Sequence, residues 1–203
     1  PLPSQQRLPE DAWGWNLYGA GLENLGWQGQ MERFPVTPPA PDQLLVRVDC
    51  VSLCYSDVKI LQQGGQHPKL YGRDLARQPT RLGHEAALTV LAVGTALAGQ
   101  YHPGQRLAVQ PDIYHNGRSN AYGHTIPGAL IQYHLIGPEI LETDHGACLL
   151  PLADELGYAE AALLEPWGCV LAAYTQRRRL FPQHGGTMLI LGRPGDRREY
   201  QFS

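Results

Sequence analysis

Cys54, His84 and Glu165 supply three side-chain types that suit Zn²⁺ in proteins: a thiolate, an imidazole and a carboxylate. They stand in three separate stretches, "SLCYSD" at 52–57, "LGHE" at 82–85 and "LLEP" at 163–166. A catalytic centre must keep one face open, and ligands drawn from separate loops fit that need better than a closed structural knuckle. Three protein ligands leave a fourth position for water or substrate. A zinc ion held in that way acts as a Lewis acid on a carbonyl or alkoxide oxygen and lowers the pKa of a bound alcohol. Taken singly, each residue also has a plainer reading. Cys54 would be a packed core thiol, His84 a satisfied histidine and Glu165 a solvated helix carboxylate. Spacing alone leaves both readings open.

The elements that must carry these residues are legible from periodicity. Residues 44–54, "LLVRVDCVSLC", form a strand whose alternation puts Leu44, Val46, Val48, Cys50, Ser52 and Cys54 on one face. "SDVKILQQGG" follows as a short helix, capped by Ser56 or Asp57 and stopped by the glycine pair. Further strands are expected at 83–94, 104–110 and 128–136, with a polar loop over 62–80. Residues 158–180 are helical before and after Pro166, with an arginine-rich end suited to a helix C-terminus, and 185–192 is a short buried strand. Strands first, then a long helix and an apolar strand, imply a β-rich domain followed by the start of an α/β unit.

Composition narrows the class. The 203 residues are 43% apolar and 17% charged, which supports a packed core rather than a disordered chain. The net charge of −3 gives no basic footprint for nucleic acid or an acidic membrane surface. The 23 glycines and 17 prolines favour turns and short strands. No apolar run reaches the roughly 18 residues of a membrane span. The start, "PLPSQQRLPEDAWGW", is unlike a signal peptide and lacks an initiator Met, so a trimmed chain is expected. Cys50, Cys54, Cys148 and Cys169 form no C-x-x-C pair, which points to a reducing cytoplasm.

Four segments in order, "VRVDCVSLCYSDVKI", "RLGHEAALTVLAVG", "YHPGQRLAV" and "AALLEP", resemble the zinc-dependent medium-chain dehydrogenases over most of residues 40 to 192. The resemblance implies a mainly β fold with flanking helices: a GroES-like β-barrel catalytic domain over 1–170, then over 171–203 a linking helix and the first strand of an incomplete Rossmann domain. It makes Cys54 and His84 zinc ligands and places Glu165 where many alcohol dehydrogenases carry a cysteine ligand, a pattern similar to the polyol and sugar dehydrogenase branch. Ser56 takes the position of a hydroxyl that relays the substrate proton. Asp57 becomes the carboxylate that orients His84, and Glu85 either approaches the metal, where it can exchange with water, or stays a charge beside it. One catalytic zinc is expected and no structural zinc, because 110–128 contains no cysteine; His115 and His124 there are expected to be solvated. The remaining cysteines, Cys50, Cys148 and Cys169, are expected to be packing residues.

The implied activity is hydride transfer between NAD or NADP and a polyol, ketose or sugar phosphate, with sorbose 1-phosphate reductases among the relatives suggested. A homo-oligomer is implied for the full-length protein. Gly192 and Gly195, in G-x-x-G form, are the candidate cofactor-binding glycines, a departure from the longer G-x-G-x-x-G turn. With the chain stopping at Ser203, little hydride-transfer activity is expected of these residues alone. Lys69, Arg73, Arg77 and Arg81 lie shortly before His84 and are either a solvated face or a grip for a phosphate. A metal-free binding module on the same barrel is the competing class.

Overall fold

The structure, a computed structural model, describes residues 8–175, 184–187 and 194–195. The chain divides into two compact units, Pro1–Trp167 and Gly168–Ser203. In the first, β1 (Asp11–Gly14) and β2 (Glu32–Pro35) pair as an antiparallel hairpin that periodicity does not announce. β3 (Leu44–Ser52) leads into α1 (Tyr55–Gln63), and β4 (Glu85–Val93) returns beside β3. β5 (Arg106–Val109) is followed by a second hairpin, β6 (Asp112–His115) with β7 (Arg118–Ala121). β8 (Tyr133–Ile136), the short helix α2 (Pro138–Leu141) and β9 (Leu149–Pro151) come next. Helices α3 (Tyr158–Ala162) and α4 (Leu164–Thr175) follow.

The central sheet has the order β8-β3-β4-β5-β9, antiparallel throughout. The alternation expected along β3 holds for Leu44, Val46 and Val48, then breaks. A register shift between Leu45 and Val46 leaves Leu91 of β4 as an extra residue, a second between Val48 and Cys50 leaves Asp49 as one, and the core-facing set passes to Val51. Asp49 uses its position to accept from Thr89 Oγ1 at 2.5 Å and to pair with Arg47 at 2.7 Å. α1 begins one residue earlier than expected, with Cys54 rather than Ser56 or Asp57 at the N-cap. The expected strand at 128–136 shrinks to Tyr133–Ile136, and the loop 62–80 contains two short 3₁₀ turns, Gly64–Gln66 and Pro68–Leu70.

The helical break lies at Leu163, not at Pro166. Pro166 is the third residue of α4, in the first turn, where backbone N–H groups have no acceptor within the helix and a missing donor costs nothing. The arginine-rich end at Arg177–Arg179 and most of the strand expected at 185–192 lie outside the described residues.

Two apolar clusters build the first unit. Leu44, Val46, Leu88, Val90, Leu107 and Ile136 belong to the larger one at the sheet. The smaller one joins Ile60 of α1 to Leu17, Leu70, Leu75 and Leu82. Full burial of one such aliphatic side chain contributes about 1.5–3 kcal/mol. The second cluster therefore clamps α1 against the segment that ends in His84. α3 is fixed to the sheet by Thr89 Oγ1 and Tyr158 Oη at 2.9 Å and by Arg106 over the Tyr158 ring at 4.3 Å.

Candidate metal centre

The β3–β4 register sets Ser52 opposite Glu85. Because the strands run antiparallel, the chain leaving β3 passes beside the chain entering β4, and Cys54 arrives next to His84 and Glu85. One ligand atom from each of these three residues lies within 4.8 Å of the others, the one such group of three among the described residues. His84 and Glu85 are buried at 5% and 4% exposure, while Cys54 is half-buried.

Asp57 ties the centre together. Its Oδ2 accepts from the Cys54 N–H at 2.9 Å, its Oδ1 accepts from the Gly83 N–H at 3.1 Å, and Oδ1 lies 3.4 Å from His84 Nδ1. The last distance suits an ion pair and is long for a hydrogen bond, so Nδ1 has no conventional hydrogen-bond partner. Ser56 Oγ is 3.4 Å from Nε2 on the other side of the ring. Gly83 adopts φ +86°, and a Cβ there would meet Val51 Cγ2 at 2.8 Å, so only glycine allows this approach.

The electrostatics follow from burial and pairing. Burial pulls the His84 imidazolium down, but Asp57, and then Cys54, outweigh it and raise the group to about 9. Burial also works against the Asp57 carboxylate; His84 and the N–H groups of Gly83 and Cys54 overcome it and hold the carboxyl below its usual range. Glu85 has no hydrogen bond or ion pair among the described residues. A thiol, an imidazole and a carboxylate at this separation form a donor set that fits Zn²⁺.

Other expected residues are placed as follows. Glu165 is half-buried in the first turn of α4 and is not a member of the Cys54, His84, Glu85 group. Gly192 lies outside the described residues; Gly195 is exposed with φ +85°. Lys69 is exposed, 3.8 Å from Asp112; Arg73 donates to Thr125 O at 2.9 Å; Arg77 is exposed and Arg81 is buried. Cys148 packs in the core and Cys50 is half-buried, but Cys169 is exposed on α4.

His124 departs from expectation. It is not solvated but 3% exposed, with its ring centroid 5.2 Å from that of His84. Burial, with the nearby His84 charge, pushes it down to about 4. His67 lies beyond it at 6.1 Å, while His115 is half-buried with Nε2 3.0 Å from Glu139 O. The signal in the sequence is the glycine beside His124. A Cβ on Gly123 would sit 2.9 Å from His84 Cβ, so that glycine marks a close approach.

Over residues 40–170 the chain matches the Alcohol dehydrogenase GroES-like domain family. It is 31% identical over 165 residues to an L-sorbose 1-phosphate reductase of Klebsiella pneumoniae, covering 80% of this chain and 38% of that protein. It is 30% identical over 191 residues to a sorbitol dehydrogenase of Bacillus subtilis, covering 87% and 49%. Its fold aligns with acetophenone reductase from Geotrichum candidum, solved in complex with NAD, at TM-score 0.54 and 23% identity over 79% of this chain and 45% of that one. The chain thus spans half or less of the length of these relatives. Four-fifths or more of its residues align with the two curated relatives, and the matched domain contains Cys54, His84, Glu85 and Glu165. Through this GroES-like domain, the chain belongs to the medium-chain alcohol and polyol dehydrogenase family.

Proposed function

We propose that this chain is the catalytic domain of a zinc-dependent dehydrogenase that moves hydride between a nicotinamide cofactor and a polyol, ketose or sugar phosphate. The observation that carries the metal reading is the convergence of Cys54, His84 and Glu85, with one ligand atom of each within 4.8 Å of the others. Cys54, His84 and Glu85 hold the ion. Zinc bound there supplies Lewis acidity toward an alcohol or carbonyl oxygen. Asp57 positions the His84 ring through Nδ1, leaving Nε2 for the metal. Ser56, half-buried and next to that nitrogen, would relay the proton of the substrate hydroxyl as the alcohol becomes a carbonyl, its Oγ accepting that proton while it passes its own on toward water. Glu165 has a helix position near the same sequence motif but outside the group, and we assign it no ligand bond.

The substrate class is supported by the names of the relatives, an L-sorbose 1-phosphate reductase and a sorbitol dehydrogenase, and the nicotinamide by a fold neighbour solved with NAD. Gly192 and Gly195 remain the candidate cofactor contacts. Cys50, Cys54 and Cys148 are free thiols, which suits a reducing cytoplasm. Among the described residues no helix is long and apolar enough to cross a membrane.

The test is a panel of polyols, ketoses and their phosphates, with NAD(H) and NADP(H), on the longest natural form of the protein. Zinc-dependent turnover of at least one of them is expected, with Cys54→Ala inactive. Full activity in Cys54→Ala, or turnover unaffected by chelation, would overturn the proposal.

A further inference from the structure

A second polar site lies away from the metal group. A cavity of about 230 Å³ opens between the β1–β2 hairpin and β8, and Cys54, His84 and Glu85 take no part in its lining. Phe34, Val36, Ile131 and Tyr133 make most of its wall apolar or aromatic. Into this wall is set Arg81, whose side chain is 9% exposed. Its Nε has no hydrogen-bond partner, and no ion pair holds its guanidinium among the described residues. The nearest acidic influence, Glu32, is engaged by the Tyr18 hydroxyl at 2.6 Å and the Asn16 N–H at 3.4 Å. The Phe34 ring, 5.1 Å from the guanidinium carbon, offers it a cation–π contact.

A buried guanidinium without a carboxylate is an expensive arrangement, because desolvation is uncompensated. The same wall carries His134, whose Nε2 is buried and also unpaired, and the fully buried Tyr122 against it has an unpaired hydroxyl. Unpaired polar groups at an apolar cavity mark where a ligand's polar end belongs. The volume is below the roughly 300–1,000 Å³ of drug-sized pockets, which limits the ligand to a single ring or a short chain. One guanidinium matches one carboxylate with bidentate geometry, and the apolar wall matches a hydrocarbon body.

We propose that this cavity binds a small organic monocarboxylate, its carboxylate on Arg81 and His134 and its apolar body against Phe34 and Ile131. Calorimetric titration with benzoate at fixed ionic strength tests this, with benzyl alcohol and inorganic phosphate as comparison probes. Saturable benzoate binding is expected, weakened about tenfold or more in Arg81→Met, with both comparison probes weaker than benzoate. Arg81→Met should still fold, since it removes an unpaired buried charge. Thr37→Trp, at an exposed position on the cavity rim, offers a second variant that leaves Arg81 intact and should block entry. Zinc content should be unchanged in both, which separates this site from the metal centre. Absence of saturable benzoate binding would overturn the proposal, as would binding in Arg81→Met and Thr37→Trp that equals the parent's. Phosphate binding as tight as benzoate would reduce the site to an adventitious ion only.

Discussion

Asp57 makes the largest number of commitments of any side chain at the centre: it receives two backbone N–H groups and faces His84. Replacing it with Asn keeps the shape and removes the charge. Metal affinity in Asp57→Asn is expected to fall roughly 10–100-fold, measured by competition with a chelator, as for other groups that orient a ligating imidazole. Ser56→Ala makes a contrasting case. Its zinc content should match the parent while kcat falls roughly 10²–10⁴-fold, the range lost with a general acid–base group. Metal loss in Ser56→Ala would show that the hydroxyl serves structure instead. Cys54 and His84 are legible in the sequence because their residue types and their order in the motifs agree. The third carboxylate is less so. Glu85 and Glu165 each follow a recognisable motif, and the choice between them depends on a β3–β4 register that no local pattern states.

At the scale of elements, the centre exists because two antiparallel strands end together and a helix begins there. The Asp49 bulge, the Gly83 turn and the approach of Gly123 are tertiary solutions. Alternation is a two-residue rule, so it carries no signal for a bulge that shifts it. The β1–β2 hairpin also escapes, since its short strands are joined by a long irregular connection. Strands 44–54, 83–94 and 104–110 are legible because short apolar runs bounded by glycine and proline are strong local signals. Gly123→Ala tests the packing directly. With φ +79° and a Cβ meeting His84 Cβ at 2.9 Å, the substitution is expected to cost about 1–3 kcal/mol in chemical denaturation. It should also weaken metal binding by displacing His84. Leu88→Ala, in the sheet core and away from the ligands, should cost about 2–5 kcal/mol with an unchanged metal stoichiometry.

For the whole molecule, three histidines set opposing pH dependences in the metal-free chain. His84 is raised to about 9, so its contribution to stability is complete below pH 6.5 and is lost as pH rises toward 9. Burial pushes His124 to about 4 and His134 to about 3, so their contributions are complete above pH 6.5 and fade as pH falls toward those values. Denaturant midpoints of the metal-free chain should therefore peak near pH 6.5, and Asp57→Asn should flatten the alkaline limb. The class of the molecule is readable from composition and motif order, whereas the nucleotide-binding end is not, because "GRPG" at 192–195 departs from the G-x-G-x-x-G pattern. The most direct measurement is the zinc stoichiometry of the purified protein and of Cys54→Ala, His84→Ala, Glu85→Gln and Glu165→Gln. About one zinc per chain is expected in the parent and in Glu165→Gln, with strong loss in the other three. Full zinc retention in Cys54→Ala, or loss in Glu165→Gln with retention in Glu85→Gln, would mean that the centre is not built from Cys54, His84 and Glu85.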